Sequence, residues 1–115
     1  MRRGEIRYVD LDPVRGSEAN KRRPSVVVSN DGANMTVDRL GRGMVTVVPV
    51  TSNIERVYPF QVMLTARRCG LPRDSKAQAE QVRSVSVERV GNRAGVLPPE
   101  EMARLDAALR LHLGL

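Results

Sequence analysis

One short run of apolar, β-branched residues constrains the fold of this chain more than any other feature. Residues 25–29 read Ser-Val-Val-Val-Ser, and they follow Pro24, which cannot donate a hydrogen bond to a strand ladder. β-branched side chains pack well on a pleated sheet, and an apolar run of this length is typical of a strand buried on both faces. The chain is therefore predicted to fold around a β-sheet that is covered on two sides.

Further segments have strand patterns. Residues 5–11 alternate, with Ile6 on one side and Val9 on the other. Strand and helix patterns compete in residues 75–85, where partial alternation favours a strand. The predicted strands, in chain order, are residues 5–11, 25–29, 44–50, 58–65, 75–85 and 94–97.

The segments between these strands are polar and rich in turn-forming residues. Loops are predicted at residues 14–23, 30–43 (with at most one helical turn, at 35–40) and 52–57, and turns at 70–74 and 91–92. Proline and two acidic residues at positions 99–101 favour the start of a C-terminal helix. Short strands closed by one helix indicate a mainly β (α+β) fold, a small and partly open barrel that forms a single domain over residues 1–115.

The charge balance is strongly basic. The chain has 19 Lys and Arg residues against 13 Asp and Glu residues, a formal net charge of +6. Such a charge raises the local concentration of polyanions, so nucleic acid is the first partner to consider. The alternative is that the basic charge serves solubility alone. No apolar run approaches the roughly 20 residues that span a bilayer, so we expect no membrane segment.

Histidine and cysteine are too scarce for several kinds of site. The single cysteine, Cys69, excludes an internal disulfide and a cysteine-based zinc site, and it fits a reducing cytoplasm. The single histidine, His112, excludes a two-histidine ribonuclease mechanism, and its place in the predicted helix favours a structural role. We therefore expect no metal and no cofactor.

Arginine and hydroxyl side chains remain as candidates for chemistry on RNA. RNA supplies its own nucleophile, the 2′-hydroxyl, so a protein has to orient it and neutralise the developing charge. Arg23 lies between a polar loop and the residue 25–29 strand, although a solvated surface arginine is the alternative. Thr51 ends an apolar strand and precedes Ser52 and Asn53, three polar side chains that either line a barrel mouth or form a turn.

At these positions the sequence resembles the MazF family, also called PemK-like toxins. Five blocks match the family's signature blocks in order, and the likeness is fullest to the mycobacterial-type branch. The blocks are RRGEIRYVDLDPVRGSE (2–18), RRPSVVVSN (22–30), VVPVTSN (47–53), YPFQVML (58–64) and AEQVRSV (79–85).

The resemblance implies a fold and an activity. The fold would be an SH3-like barrel of the MazF and CcdB type with a C-terminal helix, in a homodimer. The activity would be metal-independent, sequence-specific cleavage of single-stranded RNA, which leaves a 2′,3′-cyclic phosphate and a 5′-hydroxyl. A MazE-like antitoxin would inhibit it.

The resemblance also implies roles for residues. Arg23 and Thr51 match the family's catalytic positions, and Glu80 competes with Arg23 for the part of general base. The positions expected to contact RNA are Ser17, Glu18, Ser52, Asn53, Gln78, Gln81 and Arg83. The loops at residues 14–22 and 52–57 would set the base sequence that is cut.

Two other functions fit the same barrel. A CcdB-like protein would bind and poison gyrase without cutting RNA, and it would give Arg23 and Thr51 no purpose. A non-catalytic nucleic-acid-binding module would use Arg23 for affinity alone.

Overall fold

The computed structural model describes residues 1–13, 15–19 and 21–115. Ten strands and helices are present in these ranges, together with single 3₁₀ turns at Ala79–Gln81 and Val87–Arg89. In chain order they are β1 (Glu5–Asp10), β2 (Arg22–Val27), α1 (Asp31–Leu40), β3 (Met44–Thr51), β4 (Gln61–Leu64), α2 (Ala66–Cys69), β5 (Ser75–Gln78), β6 (Arg83–Ser86), β7 (Val90–Val96) and α3 (Pro99–Leu113).

All the strand pairs of the described chain are antiparallel, in the order β4-β5-β3-β2-β1-β7. Strand β3 forks the sheet, because its first half pairs with β6 while its last residues, Val50 and Thr51, pair with β5. This mostly antiparallel sheet with a C-terminal helix confirms the predicted fold class.

The core lies on both faces of the sheet. One cluster contains Ile6, Val26 and Val48 and is covered by α3 through Leu105; the other contains Val9 and Val47. Consecutive residues of a strand point to opposite faces, so β3 contributes to both clusters. Residues 25–27 are fully buried, as predicted for a strand covered on two sides.

The prediction of a loop at residues 30–43 was wrong, because α1 fills most of it. The Asn30 side chain caps the helix by accepting a hydrogen bond from the Ala33 N–H at 2.8 Å. Gly41 ends it in the left-handed conformation with φ of 67°. Only Asn34 and Val37 are buried on this helix. A helix defined by its caps rather than by an apolar face leaves little periodicity to detect.

Several predicted boundaries also need correction. The predicted turn at residues 91–92 lies inside β7, and the predicted strand at 58–65 is reduced to β4, with α2 following it. The segment 75–85 is two strands, β5 and β6, separated by the first 3₁₀ turn. Val14 and Asn20, in the predicted loop at 14–23, lie outside the described residues, and β2 already begins at Arg22.

Helix α2 joins the sheet to α3. Glu101, which is 2% exposed, accepts hydrogen bonds from Arg68 Nε at 2.6 Å and Nη2 at 3.0 Å. These bonds lower the pKa of the Glu101 carboxyl. Strand β7 passes so close to α2 that a Cβ atom on Gly95 would clash with the carbonyl oxygen of Cys69. Burial of Cys69 raises the pKa of its thiol, so the thiol is not an activated nucleophile.

No helix in the described part of the chain is long and apolar enough to cross a membrane.

Candidate functional site

Arg23 and Thr51 lie just beyond the last residue pair of β2 with β3. This pairing runs from Val27 opposite Val47 to Ser25 opposite Pro49, and Arg23 and Thr51 each lie two positions further along their strands. Both residues line two adjoining cavities of about 420 and 210 Å³, which we call the first and second cavities and together the cleft.

The cleft gathers most of the residues predicted to contact RNA. Besides Arg23 and Thr51, the first cavity is lined by Tyr8, Pro24, Val50, Ser52, Leu71, Pro72, Arg73 and Ser75. The second is lined by Ser17, Glu18, Ala19, Asn53, Lys76, Gln78 and Gln81. Strand ends and loops that are distant in sequence thus meet in one cleft.

The structure does not bring Glu80 or Arg83 into either cavity. Glu80 Oε2 accepts a hydrogen bond from Gln61 Nε2 at 2.7 Å, and its other carboxylate oxygen is buried without a hydrogen-bond partner among the described residues. Arg83 Nη1 donates to the Leu11 carbonyl at 3.3 Å. In a 3₁₀ turn, side chains three residues apart lie on the same side, which accounts for Gln78 and Gln81 sharing the cleft without Glu80.

Gln81 fastens the loop that covers the second cavity. Its Oε1 accepts the Ala19 N–H at 3.0 Å, and its Nε2 donates to the Ser17 carbonyl at 3.0 Å. Within the loop, Glu18 Oε1 accepts the Arg15 N–H at 2.7 Å, and the Glu18 N–H donates to the Arg15 carbonyl at 3.2 Å. One side chain of the cavity floor therefore positions the backbone on both sides of Glu18.

Lys76 and Arg73 are cleft residues that the sequence did not single out. Lys76 lies opposite Thr51 in the β3–β5 pairing, is 8% exposed, and donates from Nζ to the Arg56 carbonyl at 2.5 Å. A lysine in a short strand of mixed pattern offers no signal that separates it from a solvated charge. With these residues included, the described lining of the cleft carries Arg23, Arg73 and Lys76 against a single carboxylate, Glu18.

The chemistry available in the cleft comes from these cations, hydroxyls and amides. Within residues 1–13, 15–19 and 21–115, no group of three or more His, Cys, Asp and Glu side chains could hold a metal ion. His112 lies on the exposed last turn of α3, outside the cleft. Such a cleft can bind a phosphodiester and stabilise added negative charge on it.

Comparison of the fold identifies the structural class first. The chain superposes on MazF from Deinococcus radiodurans with a TM-score of 0.83 and 27% identity, over 100% of this chain and 97% of that one. It has the same fold as an endoribonuclease in complex with its cognate antitoxin from a mycobacterial species, with a TM-score of 0.78, 23% identity, and coverage of 100% and 96%. The fold is thus that of the MazF toxins.

The sequence then identifies the family. Residues 2–113 match the model of the family described as PemK-like, MazF-like toxins of type II toxin–antitoxin systems. The chain is also 64% identical to endoribonuclease MazF9 of Mycobacterium tuberculosis over 115 residues, which covers 100% of this chain and 98% of the relative. The chain belongs to this toxin family, as its sequence blocks predict.

Proposed function

We propose that this chain is an endoribonuclease toxin that cuts single-stranded RNA in the cleft between Arg23 and Thr51, without a metal ion and at a preferred base sequence. The observation that carries the proposal is that both side chains line both cavities of the cleft, whose charged residues in the described lining are three cations and one carboxylate. The endoribonuclease name of the 64% identical relative supports the reaction class.

The cleft residues divide the work of cleavage. Arg23 binds the scissile phosphate and neutralises the charge that builds up when the 2′-hydroxyl attacks phosphorus. Thr51 Oγ1 accepts a hydrogen bond from the Asn53 N–H at 3.2 Å, which leaves its own hydroxyl proton to donate to a phosphate oxygen. Attack by the neighbouring hydroxyl breaks the bond from phosphorus to the 5′ oxygen, and the leaving oxygen takes a proton from solvent, so the products are a 2′,3′-cyclic phosphate and a 5′-hydroxyl.

The proton of the 2′-hydroxyl needs an acceptor in the same cavity. Glu18 lines the second cavity with Arg23 and Thr51, whereas Glu80 is bonded to Gln61 outside it. A carboxylate accepts a proton directly, while a guanidinium would first have to lose its own. We therefore assign the role of general base to Glu18 and a packing role to Glu80.

Cleavage of a defined RNA tests these roles. In the presence of EDTA we expect unchanged cleavage by the wild type. A loss of about 10²- to 10³-fold in kcat is expected for Arg23→Ala and for Thr51→Val, since each removes a charge-stabilising donor. Arg39→Ala, which removes the same charge from the exposed face of α1, is the matched control and should cleave normally.

Further outcomes separate the alternatives. Glu18→Gln should abolish most activity while Glu80→Gln retains it, and the reverse result would overturn the assignment of the base. EDTA-sensitive cleavage would refute the metal-free reaction. If the wild type leaves RNA intact but inhibits gyrase supercoiling, the chain is a CcdB-like poison. If Arg23→Ala merely weakens RNA binding without changing product formation, it is a binding module.

We also propose a homodimer in the cytoplasm and inhibition by a MazE-like antitoxin whose acidic segment occupies the cleft. The fold neighbour that is bound to its cognate antitoxin supports an antitoxin as the partner. The cations of the cleft support the cleft as the binding site of its acidic segment. Light scattering at micromolar concentration should report twice the chain mass. RNA oligonucleotide and antitoxin should compete, and simultaneous binding of both would contradict the shared site.

A further inference from the structure

The two cavities of the cleft differ in the residues that line only one of them. Arg23 and Thr51 line both cavities, so a phosphate bound to this pair lies where the cavities adjoin. Glu18 lines only the second cavity, and Tyr8 lines only the first. The carboxylate assigned as general base and a tyrosine hydroxyl therefore lie in different cavities, with the phosphate-binding pair common to both.

Cleavage of RNA by its own 2′-hydroxyl calls for two different groups on opposite sides of the phosphorus atom. The attacking 2′ oxygen and the leaving 5′ oxygen lie roughly in line through phosphorus. A base that takes the proton of the 2′-hydroxyl is therefore placed across the phosphate from an acid that protonates the 5′ oxygen. With Glu18 in the second cavity, the leaving oxygen points into the first cavity, and an acid that serves it lines the first cavity.

Tyr8 is the side chain found only in the first cavity that is best suited to give up a proton. A phenol is a stronger acid than a guanidinium or an aliphatic hydroxyl, which favours Tyr8 over Arg73 and Ser52. Ser75 lines the same cavity but already donates its hydroxyl proton to the Arg73 carbonyl at 2.9 Å. Within the described part of the chain the Tyr8 hydroxyl has no hydrogen-bond partner, so its proton is available to a substrate.

The neighbours of Tyr8 hold its ring at the cavity and supply a cation. Tyr8 lies opposite Pro24 in the pairing of β1 with β2, one position along the strand from Arg23. The Arg22 guanidinium carbon lies 5.8 Å from the centroid of the Tyr8 ring. Gly91 leaves room for this guanidinium, because a Cβ atom at that position would clash with Arg22 Nη2. The nearby positive charge stabilises the phenolate that remains when the phenol gives up its proton.

We propose that Tyr8 is the general acid of RNA cleavage and gives its phenolic proton to the leaving 5′ oxygen. In this step the bond from the 2′ oxygen to phosphorus forms, the bond from phosphorus to the 5′ oxygen breaks, and Glu18 takes the proton of the 2′-hydroxyl. Water then returns a proton to the Tyr8 phenolate and removes one from Glu18, so the proton comes from solvent by way of Tyr8. This inference rests on the proposed function and adds a catalytic residue to it.

An RNA in which sulfur replaces the leaving 5′ oxygen tests this role directly. A thiolate is stable enough to leave without a proton, so an enzyme that lacks only its general acid should still cut this thio RNA. Tyr8→Phe removes the hydroxyl and keeps the ring. In single-turnover reactions Tyr8→Phe should cut normal RNA about 10²- to 10⁴-fold more slowly than the wild type, and it should cut the thio RNA at close to the wild-type rate.

Two further variants show that recovery on the thio RNA is specific. Tyr58→Phe removes the hydroxyl of the chain's other tyrosine, which lines neither cavity of the cleft, and it should cut both RNAs at the wild-type rate. Arg23→Ala removes a group that acts on the phosphate and not on the leaving oxygen, so it should stay slow on both RNAs. Circular dichroism melting checks that each variant is folded.

Three results overturn the role of Tyr8 while the proposed function stands. If Tyr8→Phe cuts normal RNA at the wild-type rate, the 5′ oxygen receives its proton without Tyr8. If Tyr8→Phe is slowed equally on both RNAs, the hydroxyl serves binding or folding and is not the acid. If sulfur restores the rate of Lys76→Met and not that of Tyr8→Phe, the acid is the lysine of the second cavity. A wild type that cuts neither RNA would refute the proposed function itself, and the role of Tyr8 with it.

Discussion

Replacing Gln81 with leucine tests how the cleft is covered. Leucine has nearly the same volume but can neither accept the Ala19 N–H nor donate to the Ser17 carbonyl. Each bond contributes about 0.5–1.5 kcal/mol, so the free energy that holds the loop against the floor should fall by about 1–3 kcal/mol. The population with an open loop should therefore rise by about 5- to 150-fold.

Trypsin measures this population, because Arg15 lies within the fastened turn and is exposed. When opening is fast compared with cleavage, proteolysis tracks the equilibrium population of the open form, so the rate of cutting after Arg15 should rise by the same factor. RNA cleavage should fall in parallel, since Glu18 leaves its position. For Gln81→Glu, both the tryptic rate and the RNA cleavage rate should lie between those of the wild type and Gln81→Leu. Its carboxylate can still accept a hydrogen bond from the Ala19 N–H but cannot donate one to the Ser17 carbonyl. The matched control, Gln78→Leu, alters the same cavity without touching the loop fastening.

Gln81 does not fasten the loop if Gln81→Leu lowers RNA cleavage while trypsin cuts after Arg15 at the wild-type rate. Gln81 would then contact RNA directly, as the sequence predicts, and the two hydrogen bonds to the loop would be incidental. Equal tryptic rates for Gln78→Leu and Gln81→Leu, both above the wild type, would show a general loosening of the cavity.

Two predictions concern stability. Gly95→Ala should destabilise the fold by about 1–3 kcal/mol and lower the melting temperature, because its Cβ meets the Cys69 carbonyl. Gly91→Ala should destabilise the fold far less, because its Cβ meets only the movable end of an arginine side chain. Equal melting temperatures of the two variants would refute the close approach of Gly95 to Cys69. Glu101 has a lowered pKa, so its pairing with Arg68 stabilises the fold above the pKa of the unfolded carboxyl, and that contribution is lost as the pH falls through the lowered folded value. Glu101→Gln should therefore unfold at lower urea than the wild type at pH 7, with a difference that shrinks in acid, and a gap that does not change with pH would contradict the pairing.

The parts of the fold that sequence could predict are those where one physical signal dominates. The run at residues 25–29 has three consecutive valines between two serines, and the strand it predicts is buried at residues 25–27. Helix α3 was predicted from a proline and acidic residues at its start, and it begins at Pro99. Helix α1 combines only two buried residues with good caps, so its signal is confined to Asn30 and Gly41, which also suit a loop.

The composition of the cleft depends on a backbone feature that strand periodicity conceals. In a continuous strand, Gln78 and Glu80 would share one face and Gln81 would point to the other. The 3₁₀ turn at Ala79–Gln81 interrupts the alternation, so Gln81 joins Gln78 in the second cavity and Glu80 turns towards Gln61. A pattern in which strand and helix compete cannot show where such a turn falls. The carboxylate of the cleft is therefore Glu18, which sits on a loop whose backbone Gln81 bonds on either side of it.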